Sequence, residues 1–164
     1  MKKIVYLHGY ESKQGGPKVD FLAQSGMVYA PSLNYTDSNL ENHLIKSIKA
    51  FKPDLLIGSS MGGYVANLLS DYFGIDCVLF NPAVVKGNKS RPTINELHNK
   101  YEYNEHNEPN KVIALGLFDD IIDSEKVKYY FRDTPNVIIN MYKHGHRTPF
   151  EVFASNVQIA LKGF

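Results

Sequence analysis

Leu55-Leu56-Ile57-Gly58-Ser59-Ser60-Met61-Gly62-Gly63-Tyr64 decides how the rest of this chain is read. An apolar run of strand type leads into Gly-x-Ser-x-Gly, and a helical pattern follows at once. Val65, Leu68, Leu69, Tyr72 and Phe73 recur at the i, i+3, i+4, i+7 and i+8 spacing of one helical face. Gly74 then stands where a helix C′ glycine belongs. This is the sequence form of a nucleophile elbow, a tight strand-to-helix turn that lifts a serine hydroxyl clear of a sheet edge. Glycine at 58 and 62 lets backbone and helix crowd around a residue in strained dihedrals. The free amides of the new helix N-terminus point to the space beside Ser60, where negative charge would be stabilised. By itself the pentapeptide is also the composition of an ordinary glycine-rich turn. The flanking strand and helix give it chemical meaning. Ser59 competes as nucleophile, but only Ser60 lies at the motif's centre.

Outward from the elbow, strand-like and helix-like segments alternate. Strands are expected at Ile4 to Leu7, Met27 to Ala30, Leu55 to Gly58, Cys77 to Phe80, Val112 to Leu117 and Val137 to Met141. Helices are expected from Pro17 to about Gln24, after the capping box Ser38-Asn39-Leu40-Glu41, after the elbow, and from about Ser124 to Phe131. A last helix follows a second capping box, Thr148-Pro149-Phe150-Glu151, with proline at N1. Apolar strands alternating with helices predict an α/β fold with a doubly wound, mainly parallel six-stranded sheet covered on both faces. In such sheets the ligand crevice lies beyond the C-terminal ends of the strands. The segment 82–110 breaks the rhythm. It is polar and irregular, yet carries Ile94, Leu97, Tyr101 and Tyr103, and reads either as a small cap over the site mouth or as a surface excursion. In the cap reading Tyr101 and Tyr103 line the substrate site.

The composition excludes several classes. The 164 residues fit one domain with a real core. Hydrophobic residues make up 43% and charged residues 21%, the balance of a globular domain. The formal net charge of +1 and the scattered basic residues argue against a nucleic-acid or membrane surface. The apolar run after Met1-Lys2-Lys3 stops at His8-Gly9, too short for a signal-peptide core. A cytoplasmic location is therefore expected. The single cysteine, Cys77, lies in an apolar segment and reads as a buried hydrophobe. Lys13-Gln14-Gly15-Gly16 lacks Walker spacing, so no phosphate loop is expected.

A serine hydroxyl needs a base within hydrogen-bond reach, and the base needs an orienting acid. On a sheet of this kind the chain order is serine, acid, histidine. The fifth strand runs into Gly116-Leu117-Phe118-Asp119-Asp120-Ile121-Ile122-Asp123. Asp119 is the favoured acid, Asp120 its rival, and Asp123 reads as an N-cap. The sixth strand runs into Tyr142-Lys143-His144-Gly145-His146-Arg147. His146, after a glycine and just ahead of a helix start, is the favoured base, with His144 its rival. The His-x-His pair also suggests a metal, with His8 and Asp119 completing a shell, but the elbow would then have no purpose; no metal and no cofactor are expected. His43, His98 and His106 read as surface residues. The oxyanion donors are expected to be the amide of Met61, following the nucleophile, and that of Tyr10, in the loop Tyr6-Leu7-His8-Gly9-Tyr10 after the first strand. Tyr10 also stands where its side chain meets substrate.

These four pieces resemble the α/β-hydrolase superfamily, and most closely the small bacterial esterases of the YqiA/YcfP type. The likeness spans essentially the whole chain. It rests on Tyr6-Leu7-His8-Gly9, Gly58-Ser59-Ser60-Met61-Gly62-Gly63, Asp119-Asp120-Ile121-Ile122-Asp123 and Gly145-His146. It implies a pared-down α/β-hydrolase of six parallel strands, with Ser60 as nucleophile, Asp119 as acid and His146 as base. It also implies hydrolysis of carboxylic esters with short acyl chains, a small-molecule substrate and no cofactor. Phe118-Asp119 departs from the Gly-Asp expected at the acid turn. Two other readings compete: a non-catalytic binding protein on the same fold, and a hydrolase of another acyl bond, such as a peptidase or lactonase.

Overall fold

The computed structural model describes residues 1–10, 12–85 and 108–163. Among these residues six strands and five helices follow in the order β1 (Lys2–Leu7), α1 (Pro17–Ala23), β2 (Gly26–Tyr29), α2 (Leu40–Phe51), β3 (Leu55–Ser59), α3 (Met61–Phe73), β4 (Cys77–Phe80), β5 (Lys111–Gly116), α4 (Ser124–Tyr130), β6 (Val137–Tyr142) and α5 (Phe150–Lys162). The strands form one sheet in the order β2-β1-β3-β4-β5-β6, and every neighbouring pair is parallel. From β1 the chain steps outward to β2, then returns past β1 to β3 and proceeds through β4, β5 and β6. The direction of winding reverses between β1 and β3. That boundary is the topological switch point, where open α/β sheets form their crevice.

The helices take both faces. Leu44 and Ile48 of α2, Val65 and Leu69 of α3, and Val127 of α4 pack with Val5, Leu7, Leu56 and Ile113. On the other face Leu22 of α1 and Phe153 and Val157 of α5 pack with Ile4, Tyr6, Ile57 and Val78. Because both faces are covered, β3, β4 and β5 are almost wholly buried, which is why they read as continuous apolar runs rather than alternating ones. Helix α3 departs from its expected one-sided stripe. Every residue from Met61 to Asn67 is buried, including Gly62, Gly63 and Ala66. Small residues there let the helix lie close to the sheet beneath the switch point. Its far end is tied to β5 by Lys111, whose Nζ lies 2.7 Å from Asn67 Oδ1 and 2.5 Å from Asp71 Oδ1.

Two helix starts differ from expectation. The cap of α2 is Asn39, not Ser38, and it makes no side-chain cap hydrogen bond. Asp37 instead accepts from the Asn39 amide at 2.9 Å, an Asx turn that feeds the helix one residue later than the capping box required. At α5 the cap residue is Pro149 itself, again without a side-chain cap. The Thr148 hydroxyl lies 3.4 Å from Asn81 Nδ2, drawn to a buried partner rather than to the helix start. Asp123 caps α4 as expected, accepting from the amides of Glu125 and Lys126, and Gly74 ends α3 at φ 65° with its amide on the Ser70 carbonyl. Cys77 is fully buried, and burial pushes its thiol up to about 11, so it is no nucleophile. No helix among the described residues is long and apolar enough to cross a membrane.

Candidate active site

The elbow is built by close approach. A Cβ on Gly58 would stand 2.2 Å from the Gly62 carbonyl oxygen, and one on Gly62 would stand 2.0 Å from that of Leu7. Neither position accepts a side chain without moving the backbone. Ser60, between them, has φ 53° and ψ −115°, a left-handed conformation that a non-glycine residue keeps only when its surroundings hold it. They do so here. The Ser60 amide donates to the Phe80 carbonyl at 2.9 Å, and the Ser60 carbonyl accepts from Tyr64 and Ala83. The end of β4 and the first turn of α3 thus fix the serine from both sides.

Ser60 Oγ lies 2.9 Å from His146 Nε2, and His146 Nδ1 lies 2.7 Å from Asp119 Oδ2. A carboxylate can only accept, so Nδ1 carries the proton and Nε2 is left to accept from the serine hydroxyl. The second oxygen of Asp119 accepts from the amides of Ile121 and Ile122, each at 2.9 Å. The Asp119 side chain is only 1% exposed, that of His146 17%. Burial alone would raise the Asp119 pKa. The hydrogen bond to His146 and those from Ile122 and Ile121 outweigh it and hold the carboxyl below its ordinary value.

The local geometry follows from the sheet. Leu117 donates to Tyr142 and Phe118 to His144, so the pairing of β5 with β6 continues beyond the strands. A turn closed by the Asp119 amide on the Gly116 carbonyl then swings the carboxylate toward the histidine loop. Of the residues singled out from sequence, the structure brings Ser60, Asp119 and His146 together. The rival His144 turns away, with Nδ1 2.7 Å from its own Gly145 carbonyl. Among the described residues no group of three His, Cys, Asp or Glu is placed to hold a metal ion.

The loop after β1 passes against the elbow. A Cβ on Gly9 would touch Ser60 Cβ and the Ser59 carbonyl at 3.4 Å. Tyr10, half exposed, follows Gly9, and Met61 opens α3, so its amide has no partner one turn back. Tyr101, Tyr103 and residues 86–107 of the segment 82–110 lie outside the described residues.

Two supports were not legible as such. His8 is buried and holds this loop: Nδ1 donates to the Gly9 carbonyl at 2.8 Å, Nε2 accepts from the Leu33 amide at 3.0 Å, and the Tyr35 hydroxyl donates to the His8 carbonyl. Asn81, after β4, links the acid strand to the histidine loop. The signal for Asn81 was an asparagine followed by proline at a strand end, which composition alone reads as a turn.

An all-parallel sheet in this order, with a strained serine after β3, an acid after β5 and a histidine after β6, is the α/β-hydrolase fold. Solved structures share it. A Xanthomonas campestris pv. campestris protein assigned to the α/β hydrolase superfamily is 17% identical, with a TM-score of 0.71 over 99% of this chain and 98% of its own. A structure from work on the metagenome-derived lipolytic enzymes LipS and LipT is 11% identical, at 0.70 over 99% and 94%. The esterase RhEst1 from Rhodococcus sp. ECU1013 is 14% identical, at 0.68 over 99% and 90%. No functionally curated protein matches the chain. The chain belongs to the family described as an uncharacterised protein family, UPF0227, whose model matches residues 3–117, a family of the YcfP/YqiA type.

Proposed function

We propose that this protein is a cofactor-free serine hydrolase cleaving carboxylic esters, or thioesters, of small short-acyl substrates. The observation that carries the reading is the hydrogen-bonded line from Ser60 Oγ through His146 to Asp119, at 2.9 and 2.7 Å, with the serine held at positive φ. Ser60 Oγ attacks the acyl carbon while its proton passes to His146 Nε2. Asp119 keeps the imidazole in the required tautomer and stabilises the imidazolium. The oxyanion is met by the amides of Met61 and Tyr10, and each such donor is worth roughly 10²–10³ in rate. Collapse breaks the ester bond, and the leaving alcohol takes the proton from Nε2. Water, activated by the same nitrogen, then releases the acid and restores the serine.

The test pairs labelling with turnover. A fluorophosphonate probe should modify Ser60, located by mass spectrometry of the digested protein. A panel of p-nitrophenyl esters, thioesters, lactones and peptide amides should give the highest kcat/KM on short-acyl esters or thioesters. No labelling at Ser60 would favour a binding protein on this fold. Preference for an amide or a lactone would move the chemistry to that bond.

A further inference from the structure

Asn81 is 1% exposed, among the most deeply buried polar side chains described, and it lies outside the Ser60–His146–Asp119 line. Its amide oxygen accepts from the Gly116 amide at 2.7 Å, and its amide nitrogen donates to the His146 carbonyl at 2.8 Å. The orientation of the side-chain amide follows from its partners, since a backbone N–H only donates and a carbonyl only accepts. The backbone of Asn81 donates to the Ala114 carbonyl and has φ 43°. Asparagine is among the residues best suited to that left-handed conformation. One side chain therefore clasps the last residue of β5, three positions before Asp119, and the backbone of His146 itself.

We infer that Asn81 is a positioning residue that holds His146 in hydrogen-bond register with both Asp119 and Ser60. The sheet fixes Gly116, and Asn81 converts that fixed point into a tether for the histidine loop. The amide of Phe118 holds the start of this loop at the His144 carbonyl, and Thr148 Oγ1 lies 3.4 Å from the same Asn81 amide nitrogen; Asn81 Nδ2 meets the backbone of His146 itself. Without the side chain, the His146 carbonyl and the Gly116 amide lose these partners. The loop then relaxes by a fraction of an ångström to find others. A displacement of about 1 Å in a catalytic array can cost roughly 10²-fold in rate.

Asn81→Gly is the informative variant, because glycine accepts the positive φ and only the side chain is removed. Asn81→Asp keeps the acceptor for Gly116 but, when ionised, sets an oxygen against the His146 carbonyl. The expected result with a p-nitrophenyl ester is a kcat lower by about 10- to 100-fold for both, with KM within about threefold. The low-field proton resonance of the His146–Asp119 hydrogen bond should be shifted or broadened in both. Asn156→Ala is the control: Asn156 is also buried, donating to Tyr142 Oη at 2.9 Å and to the Val152 carbonyl at 2.7 Å and accepting from Asn140 Nδ2 at 2.9 Å, and it bonds to none of the three residues. It should lower the melting temperature without moving the resonance or kcat.

Wild-type kcat and an unaltered resonance in Asn81→Gly would overturn the inference. So would a resonance displaced equally in Asn156→Ala, since general loosening would then explain it. The catalytic part rests on the hydrolase reading above. If the wild-type protein neither turns over nor labels at Ser60, that reading falls, and the resonance alone decides whether Asn81 holds His146 to Asp119.

Discussion

The Leu7 carbonyl oxygen occupies the space a side chain on Gly62 would need, 2.0 Å from where its Cβ would stand. The first turn of α3 thus rests directly on the end of β1, across the switch point of the sheet. This contact brings the elbow and the loop of Gly9 and Tyr10 to one crevice. Gly62→Ala must push strand and helix apart, and both are backbone. We expect a loss of about 3 kcal/mol or more, above the usual range for overpacking because no flexible side chain can yield. Urea denaturation gives the number. A variant as stable as wild type would mean that the helix can ride away from β1 at little cost.

Ser60→Ala should lower ester kcat by roughly 10³–10⁶ with the fold intact. Ser59, whose side chain is not hydrogen-bonded to His146, should tolerate alanine with a far smaller effect. Activity measured beside circular dichroism separates the two. If Ser59→Ala were the inactive variant and Ser60→Ala the active one, the nucleophile would be misassigned.

His146→Ala should abolish turnover, and His144→Ala should retain most of it, because His144 Nδ1 faces its own loop carbonyl. A chelator should leave the rate unchanged. Inhibition by chelator that added zinc reverses would point to metal chemistry instead.

Much of this arrangement was legible in the sequence because it is written in local patterns. The six strands are short apolar runs bounded by turn residues, and all six were found within one or two residues. Parallel order followed from their continuous hydrophobicity. The juxtaposition of Ser60, Asp119 and His146 followed from the positions of the loops after β3, β5 and β6, all on one end of the sheet. What escaped were features created by tertiary contact. Ser38 and Thr148 fit capping boxes by composition, yet Asp37 and the buried Asn81 offered competing partners. The burial of every residue from Met61 to Asn67 at the start of α3 depends on Gly62 meeting Leu7, residues 55 apart, which helical periodicity cannot report. Asn81 and His8 each act through backbone groups of distant segments, and no spacing rule encodes such a partner.

The acid offers the sharpest test, because its charge and its shape can be separated. Asp119→Asn keeps an oxygen for the amides of Ile121 and Ile122 but turns an N–H₂ toward His146. Nδ1 must then become the acceptor, which moves the ring proton to Nε2, facing Ser60. In that tautomer the imidazole cannot take the serine proton, and a loss of up to about 10⁴ in kcat is expected. Asp120→Asn should be mild. Stability carries an independent signature. The Asp119 pKa is held below its unfolded value, so its ionised form stabilises the fold above that value. The contribution fades as pH falls from the ordinary carboxylate range, about 3.9, down through the folded pKa. Wild type should therefore lose part of its melting temperature over that acid window, and Asp119→Asn should lose less. If Asp120→Asn, and not Asp119→Asn, flattens the acid limb and collapses kcat, then Asp120 is the acid that orients His146 in solution.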